Sequence, residues 1–127
     1  MPPPARKALY FIASSWKDLK GLPGPVQDTF GTLLLDVQYG ETPGSAKPLR
    51  GFGGAGVLEI IEDHDGDTYR CVYTVSFRDA VYVLHAFQKK SKHGIATSKR
   101  DLALVRNRHQ MAERHHATLK HEEDRHA

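Results

Sequence analysis

Arg70 lies in the middle of an apolar, strand-like run at residues 68–75, where an unpaired guanidinium would be costly to bury. A second run, residues 82–90, ends in the paired bases Lys89 and Lys90. If the two runs are neighbouring strands, alternation places Arg70 and one of the lysines on the same face of a sheet. Two or three fixed cations on a concave surface could hold a phosphodiester and stabilise its pentacoordinate transition state.

A salt bridge explains the same arginine equally well. Glu59 and Glu62 lie on the preceding strand-like run, and either carboxylate could neutralise the Arg70 guanidinium. Residue types alone do not decide between an anion site and an ion pair.

Basic residues are concentrated in one part of the chain. The net charge is only +3, but residues 85–108 carry seven bases against one acid, Asp101, so the rest of the chain is net acidic. Such a cluster suits a polyanion such as nucleic acid, or an acidic protein segment. A solvated helix face preceded by a basic loop is the alternative interpretation. The seven bases are Lys89, Lys90, Lys92, Lys99, Arg100, Arg106 and Arg108.

Gly51-x-Gly53-x-x-Gly56 matches the spacing of a dinucleotide-binding loop. That loop requires a strand before it and a helix after it, so that the phosphate meets a helix N-terminus. A β-rich run follows here instead, so the glycines are interpreted as a flexible segment leading into a strand.

Eight histidines raise the question of a metal site, but their spacing does not support one. His115 and His116 are adjacent and would diverge by about 100° on a helix. No H-E-x-x-H pattern occurs, and a solvated polar face is the favoured interpretation. We expect neither a metal nor another cofactor.

Length and composition indicate one small domain. The 127 residues are 39% hydrophobic and 26% charged, as in an ordinary globular protein. The single cysteine, Cys71, excludes an intrachain disulfide and a cysteine-rich zinc site. Residues 1–4 lack the apolar core of a secretory signal, and no run approaches the ~20 apolar residues of a membrane span. We therefore expect a reduced, cytoplasmic domain that does not contact a membrane.

The periodicity of apolar residues predicts the order strand, helix, helix, short strand, three-stranded meander, helix. A strand at residues 8–13 precedes a short helix and then a longer helix with an apolar stripe at residues 26–38. The meander strands are predicted at residues 57–62, 68–77 and 80–88, joined by tight turns. A last helix, from about Lys99 to Ala117, is introduced by a capping box at Ser98 and Asp101. The arrangement is α+β, with helices covering one face of the sheet.

The motifs Y-R-x-x-Y and V-L-H-x-F-x-K-K, at residues 69–73 and 83–90, resemble the phage-derived Gp49-like group of the RelE/HigB toxins. Residues 49–60 also resemble the stretch that leads into the family's first meander strand. The resemblance spans residues 8–112 as a RelE/HigB-like toxin domain, with a disordered proline-rich start at residues 1–7 and a polar, histidine-rich tail at residues 113–127.

The resemblance implies a RelE-like fold: a small, mostly antiparallel sheet, two N-terminal helices packed on one face, and a C-terminal helix. It further implies the toxin of a type II toxin–antitoxin system, which cleaves mRNA on the ribosome without a metal and is neutralised by a cognate helix-turn-helix antitoxin. Homodimer formation stays open. A non-catalytic binding module on the RelE/ParE fold, such as a gyrase-targeting toxin or a phage-derived interaction protein, is the alternative.

The family's site residues carry over onto two sets of positions in this sequence. The resemblance implies catalytic roles for Arg70, as the phosphate-binding arginine, and for Lys89, Lys90 and His85. The implied RNA-binding residues are Lys47, Arg50, Lys92, Lys99 and Arg100. One departure concerns the first meander strand, where Ile60 and Ile61 follow Glu59 although relatives often carry an arginine there.

Overall fold

A computed structural model describes residues 5–89 and 97–126. Its elements follow one another in the predicted order. The elements are β1 (Ala8–Phe11), α1 (Ser15–Lys20), α2 (Gly24–Gln38), β2 (Ala46–Pro48), β3 (Val57–His64), β4 (Asp67–Thr74), β5 (Ala80–Lys89) and α3 (Lys99–His126). No helix in these ranges is both long and apolar enough to cross a membrane.

The strands form one five-stranded sheet in the order β1-β5-β4-β3-β2. β1 is parallel to β5, and every other neighbouring pair is antiparallel. The turn between β3 and β4 places Asp65 and Gly66 at φ values of 49° and 81°, as a tight hairpin requires. The predicted α+β class and antiparallel meander are confirmed. The predicted strand end at residue 77, which left only residues 78–79 for the second turn, is wrong, because β4 ends at Thr74 and residues 75–79 connect it to β5.

α2 covers one face of the sheet with the predicted apolar stripe. Val26, Phe30, Leu34 and Val37 are buried, and they pack with sheet residues such as Cys71 and with Leu19 of α1. Pro25 stands in the first turn of α2, where its missing N–H leaves no helical hydrogen bond unmade. Both N-terminal helices therefore lie on the same side of the sheet.

α3 lies on the opposite face, so the expectation that all helices cover one face is wrong. Val105 and Ala112 of α3 pack with Val72, Tyr82 and Leu84 in a second core. The physical reason is that β4 and β5 are apolar on both faces, and each face needs a cover. The sheet is thus a middle layer between α2 and α3.

A β-bulge in β5 decides which side chains face α3. Val72 pairs with His85 whereas Tyr73 pairs with Val83, so Leu84 is an extra residue in the ladder. Leu84 packs on the α3 side, and Phe87, three positions later, packs there too. Without the bulge, strict alternation would send residues 85, 87 and 89 to the face occupied by α2.

α3 continues well past the predicted end at Ala117 and reaches His126. No glycine or proline interrupts residues 99–126, and the Ser98 hydroxyl accepts a hydrogen bond from the Asp101 N–H at 3.1 Å, as expected of a capping residue. The boundary predicted at residue 112 therefore falls inside a helix. Of the predicted disordered start, residues 1–4 lie outside the described residues, whereas Lys7 exchanges two hydrogen bonds with Gln38.

Candidate functional site

Arg70 is buried in the centre of the sheet and forms an ion pair with Glu59 of β3. Its Nη1 donates to both carboxylate oxygens, Oε1 at 2.9 Å and Oε2 at 3.0 Å. Both residues are only 2% exposed. Of the two candidate partners, Glu59 shares the α3 face with Arg70, whereas the register of Glu62 with Tyr69 places it on the other face. The salt-bridge interpretation is thus correct for Glu59.

Thr97, the residue that precedes the capping Ser98, closes this ion pair into a three-residue network. Nη1 of Arg70 donates to the Thr97 hydroxyl at 2.9 Å, and that hydroxyl donates to Oε2 of Glu59 at 3.0 Å. The network ties the middle of the sheet to the start of α3. Sequence reasoning missed Thr97, and no signal in the sequence marks it.

Two lysines lie near the network, one on each of the strands that flank β3 and β4 in the sheet: Lys47 on β2 and Lys89 on β5. Lys47 stands opposite Glu59 in the β2–β3 ladder, with its Nζ 3.8 Å from Oε1, and its side chain is 46% exposed. Lys89 ends β5 on the same face because of the bulge at Leu84. Partial burial lowers the pKa of Lys89, and the positive charges of Arg70 and Lys47 lower it further, whereas Glu59 acts in the opposite direction. Arg70 and Lys89 therefore lie on the same face of neighbouring strands.

A cleft of about 370 Å³ opens beside the network, between β2 and the start of α3. Glu59 and Thr97 line it, and Lys47 and Arg50 add two exposed positive charges. We call it the α3 cleft. Among residues 5–89 and 97–126, its lining is Lys47, Pro48, Leu49, Arg50, Glu59, Thr97 and Leu102. In the described part of the chain, the cleft thus combines apolar walls, the exposed cations of Lys47 and Arg50, and the buried carboxylate of Glu59.

His85 does not line the α3 cleft. Its Nε2 lies 2.9 Å from Oδ1 of Asp101, and its ring stacks on Phe87 with centroids 4.3 Å apart. Burial lowers the pKa of His85, and the hydrogen bond to Asp101 opposes that shift without reversing it. Within the described part of the chain, Nδ1 is buried and has no hydrogen-bond partner. These contacts make His85 a packing residue between β5 and α3.

The remaining predicted site residues are divided between two places. Lys99 and Arg100 are exposed in the first turn of α3 and do not line the cleft. Lys90 and Lys92 lie outside the described residues, as does the greater part of the basic loop. The structure therefore places Lys47 and Arg50 at the α3 cleft with Glu59 and Thr97. Arg70 contacts Glu59 and Thr97 from behind, and Lys89 lies on the same face of the next strand.

The glycine motif and the histidines take structural roles. Gly51 and Gly56 have positive φ values in a loop that enters β3, and no helix follows it. His115 Nδ1 lies 2.7 Å from the Tyr82 hydroxyl, and His116 Nε2 lies 2.7 Å from Oδ1 of Asp79. Within residues 5–89 and 97–126, no cluster of three or more histidine, cysteine or acidic side chains could hold a metal ion.

Solved structures of two other proteins resemble this chain. A mutant of the Escherichia coli toxin RelE in its free state superposes with a TM-score of 0.53 and 20% identity, covering 69% of this chain and 88% of that one. The Mycobacterium tuberculosis toxin–antitoxin complex RelBE2 gives a TM-score of 0.49 and 20% identity, covering 67% of this chain and 100% of that one. At 20% identity, the likeness to the free RelE mutant shows the fold alone.

Comparisons of sequence identify the family. No curated protein matches the chain. The family model described as phage derived protein Gp49-like matches residues 17–110, which is about three quarters of the chain and includes the network and the α3 cleft. The resemblance seen in the motifs is confirmed, and the chain belongs to the Gp49-like family of phage-derived proteins.

Proposed function

We propose that this protein is the toxin of a type II toxin–antitoxin pair and that it cleaves mRNA on the ribosome. The α3 cleft carries the proposal, because it places Lys47 and Arg50 beside a buried Arg70–Glu59 pair on a RelE-like sheet. Cations so arranged suit the phosphates of a single strand of RNA. Membership of the Gp49-like family and the RelE-like fold support the same function.

The proposed reaction is attack of a ribose 2′-hydroxyl on the adjacent phosphate, with loss of the 5′-oxygen of the next nucleotide. It requires a base, an acid and positive charge around the phosphoryl oxygens. Arg70, Lys89 and Lys90 are proposed to supply charge, and Lys47, Arg50, Lys92, Lys99 and Arg100 to bind the strand. His85 is proposed to hold β5 against α3, through its contact with Asp101, and not to touch the RNA. No step of the proposed reaction requires a metal bound to this chain.

The proposed partners follow from this function. A ribosome with its mRNA is the target, so the protein would act in the cytoplasm. A helix-turn-helix antitoxin encoded beside it is the proposed neutralising partner. The basic surface of the α3 N-terminus, with Lys99 and Arg100 exposed, suits an acidic segment of such an antitoxin.

Induction of the chain alone in a bacterial host tests the function. We expect growth arrest and new mRNA 5′ ends inside coding regions, and co-expression of the adjacent antitoxin should abolish both. Lys89→Gln with Lys90→Gln should restore growth, whereas the exposed control pair Lys17→Gln with Lys20→Gln should not. Normal growth and intact transcripts under strong induction of the folded protein would contradict the proposal.

One observation favours a second candidate, a non-catalytic binding module. Arg70, the residue expected to meet the phosphate, is 2% exposed and paired with Glu59. Such a protein would dock a partner such as gyrase through its basic surface. Induced DNA damage with intact mRNA, together with recovery of gyrase in a pull-down, would favour this second function over the first.

A further inference from the structure

Glu59 stands between Arg70 and the α3 cleft. The carboxylate lines the cleft, as does Thr97, whereas Arg70 does not line it. Arg70 is 2% exposed and donates from Nη1 to Glu59 and to Thr97. In this arrangement the guanidinium lies behind the carboxylate, so an anion in the cleft meets Glu59 before it can reach Arg70.

The bonds that Glu59 accepts are those that a phosphate would accept at the same place. One guanidinium nitrogen and one hydroxyl donate to its two oxygens at 2.9–3.0 Å, and the Lys47 ammonium lies 3.8 Å away. Guanidinium, hydroxyl and ammonium groups are the usual donors to phosphate oxygens in proteins. Replacing the carboxylate by a phosphate oxygen would keep each of these donors satisfied.

The cleft has room for a phosphate with its sugar. Its volume is about 370 Å³, within the ordinary range of small-ligand sites. Arg50 and Lys47 stand exposed at the cleft and could hold the remaining phosphoryl oxygens. Pro48, Leu49 and Leu102 provide apolar wall, against which a sugar or base can pack.

We propose that the α3 cleft is a phosphate-binding site whose anion position is filled by the Glu59 carboxylate in the ligand-free protein. Glu59 is then a built-in competitor, which an incoming phosphate must displace from Arg70 and Thr97. The inference rests on the proposed function for the nature of the ligand, a phosphate group of RNA. The proposal also explains why Arg70, which resembles the family's phosphate-binding arginine, does not line the cleft. The Glu59 carboxylate covers it, and an incoming phosphate can displace that carboxylate.

Calorimetric titration with inorganic pyrophosphate at fixed ionic strength tests the proposal. Glu59→Gln removes the competing charge, and we expect it to tighten pyrophosphate binding at least tenfold relative to the unsubstituted chain. Glu62→Gln is the matched control, since it makes the same charge change on the same strand but on the other face, and it should change affinity less than twofold. Equal tightening by both variants, or no tightening by Glu59→Gln, would overturn the proposal.

Glu59→Asp covers the case in which Glu59→Gln fails to fold, as judged by its thermal melt. The shorter side chain keeps the charge but withdraws the carboxylate from Arg70, so we expect about threefold tighter binding. Affinity equal to or below that of the unsubstituted chain would contradict the competitor role. No ribosome is present in this titration, so it tests the anion site separately from the proposed function. If the chain shows this binding pattern but leaves mRNA intact, the anion site is supported and the proposed function is contradicted.

Discussion

Arg70 and Glu59 are joined by two hydrogen bonds of 2.9 and 3.0 Å, and each residue is 2% exposed. A buried charge is tolerated when it is paired and hydrogen-bonded, and it becomes costly when its partner is removed. Under the proposed function, the pair links stability to activity, because the residue proposed to meet RNA phosphate also neutralises a buried carboxylate. A substitution of Arg70 can abolish activity simply by unfolding the protein. The free energy of unfolding of each Arg70 variant should therefore be measured together with its activity.

Truncation of Arg70 should destabilise the fold strongly. Arg70→Ala leaves the Glu59 carboxylate buried without its guanidinium, and we expect the free energy of unfolding to fall by about 3–5 kcal/mol. The double variant Arg70→Met with Glu59→Leu removes both charges and should lie within about 1–2 kcal/mol of the unsubstituted protein. Urea denaturation measures both. A double variant as unstable as Arg70→Ala would show that charge pairing is not the stabilising feature.

The second half of α3 should contribute to stability through its two adjacent histidines. A chain ending at Ala112 lacks His115 and His116, which bond Tyr82 and Asp79, and we expect it to be about 2 kcal/mol less stable. A chain ending at Lys120 keeps both histidines and should lie within about 0.5 kcal/mol of full length. Thermal or urea unfolding distinguishes the two. Equal stability of all three chains would mean that the histidine contacts are dispensable.

Acid should weaken the contact between Asp79 and α3. The hydrogen bond from His116 lowers the pKa of Asp79 to about 2. A carboxyl group with a pKa below its unfolded value stabilises the fold above that unfolded value, here about 4, and loses this effect as pH falls towards 2. The stability difference between the unsubstituted chain and Asp79→Asn should therefore be largest at pH 5 and shrink between pH 4 and pH 2. A difference independent of pH in that window would refute the assignment.

Cys71 should be unreactive in the native protein. It is fully buried in the core beneath α2, and burial raises the pKa of its thiol to about 12, so the nucleophilic thiolate is almost absent. We expect iodoacetamide at pH 8 to leave the folded chain unmodified and to alkylate it fully in denaturing urea. Mass spectrometry measures the extent of reaction. Rapid alkylation without denaturant would mean that this core opens readily.

Local signals in the sequence predicted much of the fold. The stripe from Val26 to Val37 predicted α2, and the Asp65-Gly66 turn predicted the β3–β4 hairpin, since each depends on neighbours along the chain. The extension of α3 from Ala117 to His126 was missed because residues 118–126 carry a single apolar residue, Leu119, and periodicity does not reveal the ion pairs of Lys120 with Asp79 and Glu123. The bulge at Leu84 likewise depends on pairing between strands.

The candidate site was predictable only in part. Arg70 and Glu59 each interrupt an apolar strand, so a buried charge near the sheet centre could be inferred from residue type. The role of Thr97 could not be inferred in this way. Its hydrogen bond to Glu59 forms only where the start of α3 crosses the sheet, 38 residues after Glu59 in the chain. His85 matched a family position, yet its packing between Phe87 and Asp101 is a property of the folded state.

Primer extension on purified ribosomes translating a defined message tests most directly the proposed ribosome-dependent cleavage of mRNA at the α3 cleft. We predict cuts inside the message only when ribosomes are present. Lys47→Glu with Arg50→Glu should reduce them at least about tenfold, because that pair reverses the cleft's exposed charges. The exposed control pair Lys17→Glu with Arg114→Glu should leave them unchanged. An intact message with folded, stoichiometric protein, or equal cleavage by both variants, would contradict the account.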